Sequence, residues 1–400
     1  MQRLTVEYFG QIKKADVRFG DLTVLVGPQA TGKSIFLQLL NLLVDNGFVR
    51  SEMKRMGIEW GKDTERFFDA FFGEGMRQLW NANETKVTVD GKEVDLRKIP
   101  RHSIPRHLIK PFETFFFVPA QRVLALRNGW PRPFSEFSAV DPFLVRHFSE
   151  RLRLLMESEF SSEKATLFPQ SNRLKKEFRS LLDGAIFGSL NLQSEVVQNQ
   201  KRLVLKKNGA DSLSLPFMVW SAGQREFIPL LMGLYWLLPP SKTPKRSPID
   251  WVVVEEPEMG LHPKAISSTL VLVMELLKRG YRVCLSTHST DVLDVVWAIR
   301  TIQNHRAFPG RWSKQEEEFF LRIFGLPVNP PLRDFASAVL DKKMNVYFFD
   351  KGTGSTEDIS SLNPGADAVG VSGWGGLTDY AGRIADIVAD VISSSERTKS

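Results

Sequence analysis

Between Leu22 and Leu40 the chain reads strand, glycine loop, helix, and that order around such a loop restricts the fold more than any other stretch. Leu22-Thr23-Val24-Leu25-Val26 has the unbroken apolar character of a buried strand, and Ile35-Phe36-Leu37-Gln38-Leu39-Leu40 that of a helix. Between them Gly27-Pro28-Gln29-Ala30-Thr31-Gly32-Lys33-Ser34 satisfies G-x-x-x-x-G-K-[ST], the phosphate-binding P-loop. Gly27 and Gly32 let the backbone curl, so the N–H groups from Gln29, Ala30 and Thr31 through to Ile35 converge on an anion with the positive end of the helix dipole. In this pattern Lys33 reaches the β- and γ-phosphates of a nucleotide and Ser34 ligates Mg²⁺.

Length and composition set outer bounds. At 400 residues, 42% hydrophobic and 25% charged, the chain has the make-up of a soluble globular protein of two or three domains, or of one nucleotide-binding core with insertions. No apolar run approaches the ~18 residues that cross a bilayer, and Met1-Gln2-Arg3-Leu4-Thr5-Val6 lacks the shape of a signal peptide, so a cytoplasmic location with no membrane partner is expected. Cys284 is the single cysteine, which excludes an internal disulfide and a cysteine-built zinc site, and its setting Val283-Cys284-Leu285 places it in a core. The net charge of +7 is weak support for a polyanion partner, because charge alone does not select one.

Taken in order, residues 4–9 and 14–19 alternate as two strands joined at Gly10. Residues 46–111 read as an insertion, with a helical stretch over Glu65–Phe72 and a hairpin of 86–89 with 93–96 around Asp90-Gly91. It ends in the basic run Arg97, Lys98, Arg101, His102, Arg106, His107 and Lys110, a solvated loop or a phosphate contact. Phe115 to Pro119 is a buried strand, with Gln121 and Arg122 just past it. Periodicity over 123–200 predicts a mostly helical lobe, and 201–205 with 211–215 a hairpin around Asn208-Gly209. Beyond residue 300 the sequence predicts a strand at 345–349, a helix over 377–392 and a disordered tail from 393. There is no internal repeat.

Chemistry gathers at the ends of the predicted strands, where open α/β sheets hold their ligands. Trp251-Val252-Val253-Val254 runs into Glu255-Glu256-Pro257-Glu258, and two adjacent carboxylates at the end of a buried strand are costly unless a cation or a chemical task keeps them there. The strand Arg282–Ser286 ends in Thr287-His288-Ser289, which puts His288 at the strand end next in order after that pair and makes it a candidate functional residue. Ser221-Ala222-Gly223-Gln224 opens the apolar helix 227–238; a serine there is an N-cap by default and a place where backbone N–H groups meet phosphate.

In this order the P-loop, Gln121, Ser221-Ala222-Gly223-Gln224, Glu255-Glu256-Pro257 and His288 resemble the ABC-type ATPases, in their soluble branch of SMC, RecF and OLD (overcoming lysogenization defect) ATPases. Glu-Glu-Pro-Glu followed by Leu-His-Pro, and Ser-Thr-His-Ser, look like the OLD-type ATPases of bacterial defence operons. The resemblance covers about residues 1–45, 112–125 and 215–300. It implies an α/β fold: an ABC ATPase-type P-loop NTPase core with a mixed, largely parallel sheet flanked by helices, N-terminal antiparallel strands and an inserted helical lobe. The core would comprise those three segments, with 46–111 an insertion, 126–214 the lobe and 301–400 a C-terminal α/β extension. It further implies an ATP-hydrolysing enzyme in which two protomers sandwich ATP, each P-loop facing the partner's Ser221, Gly223 and Gln224. Lys33 and Ser34 would hold phosphate and Mg²⁺, Glu255 and Gln121 would support the metal, Glu256 would orient or activate water, and His288 would sense the γ-phosphate.

This sequence departs from the family in reading Ser-Ala-Gly-Gln for Ser-Gly-Gly-Gln, in placing Glu255 where transporters have aspartate, and in leaving open whether Gln121 or Arg122 faces the nucleotide. Roughly 190 residues separate Ser34 from Ser221, more than a transporter subunit has. Residues 123–200 lack the sustained heptads of SMC arms. The segment after 300 lacks the acidic cluster of a Toprim nuclease domain. The expected role is therefore a sensor or scaffold that controls a separately encoded effector, such as a nuclease or toxin, in anti-phage defence. The alternative is a RecF- or SMC-like ATPase that binds DNA itself.

Overall fold

The computed structural model describes residues 1–101, 112–207, 213–240, 244–363, 366, 369–378, 384 and 387–389. The chain begins with β1 (Arg3–Phe9), β2 (Ile12–Arg18) and β3 (Leu22–Val26), followed by α1 (Lys33–Val44), α2 (Asn46–Arg55) and α3 (Thr64–Phe72). The Asp90-Gly91 hairpin forms as β4 (Lys86–Val89) and β5 (Lys92–Glu93), and β4 pairs with β1 to give a four-stranded antiparallel sheet in the order β2-β1-β4-β5. The second strand of the hairpin is shorter than expected. Asp95 accepts the Arg97 N–H and turns Leu96–Lys98 into a 3₁₀ turn.

Next come β6 (Phe115–Val118), β7 (Leu126–Arg127), β8 (Trp130–Pro131), α4 (Phe143–Glu159), β9 (Thr166–Phe168), α5 (Lys176–Leu182), β10 (Asn191–Val197), β11 (Gln200–Lys206) and β12 (Ser214–Pro216). The stretch 123–200, predicted to be mostly helical, is therefore mixed, because β7 to β10 fall within it beside α4 and α5, and β9 and β10 join β11 and β12, the strands of the predicted hairpin, in a second four-stranded sheet of order β12-β11-β10-β9. β10 escapes a search for apolar strands because only Leu192 and Ser194 of Asn191–Val197 are buried, and Ser194 is polar. The predicted pairing of residues near 205 and 215 is present, while the Asn208-Gly209 turn lies outside the described residues.

The remainder comprises α6 (Ala222–Leu237), β13 (Trp251–Glu255), α7 (Pro263–Lys278), β14 (Arg282–Thr287), α8 (Thr290–Asn304), α9 (Lys314–Ile323), α10 (Pro330–Leu340), β15 (Met344–Phe349), β16 (Thr356–Asp358) and α11 (Val369–Ser372). Asn329 caps α10 through the Leu332 N–H, with proline at the first helical position. Most of the helix predicted over 377–392, and the whole tail from 393, lie outside the described residues.

A six-stranded central sheet in the order β16-β15-β3-β14-β13-β6 carries the fold; all its pairs are parallel except β15 with β16. The parallel strands are buried on both faces, so they read as continuous apolar runs. Val24, Val254 and Leu285 face one core with α6, α7 and α8, whereas Leu25, Val253 and Cys284 face another with β1, α1 and α3. Burial of each such side chain stabilises the fold by about 1.5–3 kcal/mol. Residues beyond 300 thus supply β15, a direct neighbour of the P-loop strand. No helix among the described residues is long and apolar enough to cross a membrane.

Asp45 ties the end of α1 to the sheet. Its buried carboxylate accepts the N–H groups of Thr114 at 2.8 Å and Phe115 at 2.9 Å, and the Thr114 hydroxyl. Replacing it leaves those donors without a partner, at roughly 1–3 kcal/mol. Asp45→Ala is expected to lower the unfolding free energy by about that amount in urea denaturation, with an unchanged m value.

Candidate functional site

Register brings the site together. Val118, Val254, Leu285, Val24 and Val346 stand in one row across five parallel strands, so the segments that follow each of them leave the sheet at the same edge. Four of these five segments are the P-loop, Ala120-Gln121-Arg122, Glu255-Glu256 and Thr287-His288.

The P-loop is shaped by positive φ at Gly27 (147°), Ala30 (61°) and Gly32 (92°). A Cβ on Gly27 would stand 2.4 Å from the Phe349 carbonyl oxygen, and one on Gly32 would strike Ile12, so both positions are sterically reserved for glycine. Gly32 precedes α1 without a side-chain cap, which leaves first-turn N–H groups, including those of Ser34 and Ile35, directed at the loop. Gln29 and Ala30 are exposed, Thr31 is buried, and its hydroxyl donates to the Pro28 carbonyl at 3.0 Å. The buried Lys33 ammonium donates to the carbonyls of Gly27 (2.7 Å) and Pro28 (2.8 Å) and to the Thr31 hydroxyl (3.3 Å). Burial lowers the Lys33 pKa to about 8, although Glu256, Glu258 and Glu255 pull it back up.

Glu255 is 2% exposed. Burial raises its pKa to about 6, against the Ser34 hydroxyl and the Ala120 N–H, which donates to Oε2 at 3.1 Å. Its other oxygen, Oε1, is buried without a hydrogen-bond partner. An acidic oxygen in that condition beside a hydroxyl fits a hard cation, so the donor set Ser34 and Glu255 suits Mg²⁺ completed by water and phosphate oxygens. Glu256 occupies left-handed backbone at φ 44°, a conformation that residues other than glycine rarely adopt. Its Oε1 lies 3.2 Å from His288 Nε2, and this contact foremost holds the Glu256 carboxyl below the usual carboxylate range.

Two residues have roles that motif reading does not reveal. Glu258 Oε1 accepts the His288 N–H at 2.7 Å and the Thr287 hydroxyl at 2.8 Å, so the third acid of Glu-Glu-Pro-Glu fixes the histidine segment. Arg122 is fully buried and donates to backbone carbonyls of Glu226, Glu255 and Glu256, while Gln121 is exposed. No spacing in the sequence distinguishes the two; only burial does.

Ser221 caps α6 in a capping box: its hydroxyl accepts the Gln224 N–H at 3.2 Å, and its own N–H donates to Gln224 Oε1 at 3.1 Å. Gln224 Nε2 also donates to the Ile186 carbonyl at 3.1 Å. A Cβ on Gly223 would stand 2.9 Å from the Gly260 carbonyl oxygen, so glycine lets α6 pack on the loop after Glu258. Ser221 and Ala222 are exposed at the start of the helix.

Residues 129–294 match the family model for an AAA domain associated with AbiEii toxin and Type IV TA systems. That span holds Ser221, Glu255, Glu256 and His288 and leaves out the P-loop. The match covers less than half of the chain, and with the P-loop geometry it supports a P-loop ATPase domain. A stretch of 52 residues is 40% identical to the Old nuclease of Escherichia phage P2, covering 13% of this chain and 9% of that protein. Among solved structures, an SMC head bound to the C-winged helix domain of ScpA aligns at 12% identity over 73% of this chain and 90% of that one, with a TM-score of 0.39. The SMC head domain from Thermotoga maritima aligns at 13% identity over the same shares, with a TM-score of 0.29. Scores this low carry no argument about this chain, whose fold is read from its own sheet order.

The Lys33 shift has a consequence for any phosphate bound at the P-loop. Phosphate favours the ammonium, so its affinity is full below the pKa of about 8 and declines as the pH rises through it. Affinity for ATP is expected to fall roughly tenfold between pH 7 and pH 9, measured by equilibrium binding at constant ionic strength.

Proposed function

We propose that the chain binds Mg-ATP, hydrolyses it as an ATP-sandwich dimer, and uses its nucleotide state to control a separately encoded effector protein. The observation that carries the ATPase reading is the convergence of Lys33, Glu255, Glu256 and His288 at one sheet edge beside an uncapped helix N-terminus. ATP is the substrate. Its phosphates would lie against the P-loop N–H groups, with Lys33 turning from the Gly27 and Pro28 carbonyls to the β- and γ-phosphates. Ser34 and Glu255 would hold Mg²⁺, with Gln121, exposed past the end of the neighbouring strand β6, as a further ligand; the metal would supply neutralisation of charge on the transferred phosphoryl group. Glu256, ionised and paired with His288, would orient the attacking water and accept its proton. His288 would register the γ-phosphate.

The exposed start of α6 supports the dimer, because Ser221, Gly223 and Gln224 present a helix N-terminus that a second protomer's ATP would complete. The matched family is described with a toxin of Type IV TA systems, and the phage P2 relative is named as a nuclease. Both support a place in anti-phage defence, of the OLD type, with an effector nuclease or toxin as partner. The DNA-binding alternative rests on the basic run. There Arg97 is paired with Asp95 at 2.8 Å and Arg101 donates to the Lys62 carbonyl at 3.2 Å, whereas His102, Arg106, His107 and Lys110 lie outside the described residues.

Lys33→Ala is expected to abolish ATP binding, and retained affinity and turnover would remove the ATPase assignment. Glu256→Gln should bind ATP, turn over at least about a hundredfold more slowly and accumulate as dimer in light scattering, whereas Ser221→Arg should stay monomeric with ATP. Purification from the native host should yield an effector whose retention changes with nucleotide. Tight, salt-dependent duplex DNA binding without any copurifying protein would instead establish the DNA-binding reading.

A further inference from the structure

Arg122 is the largest fully buried side chain among the described residues, and its guanidinium lies where three elements meet. Nε donates to the Glu226 carbonyl in the first turns of α6 at 3.0 Å, Nη1 to the Glu255 carbonyl at 3.0 Å, and Nη2 to the Glu256 carbonyl at 3.1 Å. The Glu226 carboxylate adds an ion pair at 3.8 Å from Nε. A planar fork with fixed donor directions can satisfy three carbonyls only while they keep their relative positions, and no other cationic side chain has that geometry. One of the three belongs to Glu256, whose backbone sits at φ 44° and so needs support from its surroundings. Another lies five residues after Ser221, on the helix whose start is exposed.

We propose that Arg122 is a positioning residue that makes the placement of Glu256 depend on the seating of α6, so that engagement of Ser221 by a second protomer's nucleotide is felt at the hydrolytic carboxylate. This rests on the ATPase reading above. Displacement of α6 moves the Glu226 carbonyl, and the guanidinium follows it or loses a bond that nothing else can replace inside the protein. Where the guanidinium follows α6, the Glu256 carbonyl loses its arginine donor and keeps only the Met259 N–H at 3.0 Å. With α6 seated, all three bonds close and Glu256 is held against His288.

The test compares wild type with Arg122→Lys, Glu226→Ala and the double variant. An ammonium keeps the charge but cannot reproduce the fork. Arg122→Lys is expected to keep KM for ATP within about threefold and to retain ATP-dependent dimerisation, while kcat falls about tenfold or more and no longer rises with protein concentration. Glu226→Ala leaves the Glu226 carbonyl in place and removes only the carboxylate paired with Nε at 3.8 Å, so it should lower kcat in the same direction but by less, with KM unchanged, and the double variant should be no slower than Arg122→Lys, because both changes weaken one link. Unchanged kcat in either single variant, or losses that multiply in the double, would overturn the coupling. If Arg122→Lys does not fold, Glu226→Ala decides alone through the ion pair, which is the side-chain hold of α6 on the guanidinium: a lower kcat at unchanged KM supports the link, and unchanged kcat removes it. Absence of Lys33-dependent turnover in wild type is the separate result that removes the ATPase reading itself.

Discussion

Alignment of five parallel strands in one row is the constraint on which the site depends, because it decides that segments far apart in the chain end together. Val26 leads into the P-loop, Val118 into Arg122, Glu255 into Glu256, and Thr287 into His288. A one-residue slip in any pairing would turn the strand's side chains to the opposite face, and the division of Leu25 from Val24 and of Val253 from Val254 between two cores prevents that. The apolar packing that stabilises the sheet therefore also sets the geometry of the polar edge.

At that edge the electrostatics are reciprocal. A buried ammonium and a buried carboxylate are each unfavourable in isolation: burial pulls Lys33 down to about 8 and pushes Glu255 up to about 6. Lys33 rests on carbonyls that a phosphate can replace, and Glu255 keeps one oxygen unpartnered. Both groups are held in states that a phosphate and a divalent cation would relieve together. Glu256 differs, since its contact with His288 keeps it ionised without a metal.

Backbone carbonyls carry much of the organisation. Arg122 reads three of them, and Glu258 holds the His288 segment through a main-chain N–H. Gly223 allows α6 to approach the Gly260 carbonyl, so Ser221, the paired acids and His288 belong to one packed unit. The family match, which begins at residue 129 and ends at 294, falls on much of this unit.

The sequence by itself determined the parts with local causes. The P-loop follows from Gly27, Gly32, Lys33 and Ser34 between a buried strand and a helix, and the strands β3, β6, β13 and β14 from continuous apolar runs. Ser221 as an N-cap and Cys284 as a core residue were legible for the same reason: neighbours within a few positions set their roles. Tertiary structure alone decided what depends on partners distant in the chain. The order of the strands, the entry of β15 beside β3, and β4 joining β1 are long-range pairings that periodicity cannot specify. β10 has too few apolar residues to announce itself, and it became a strand because β9 and β11 satisfy its backbone on both sides. Gln121 and Arg122 are adjacent, and both are polar side chains that the sequence would place in solvent. Packing buried the arginine because three carbonyls from distant segments converge on one guanidinium, and it left the glutamine exposed.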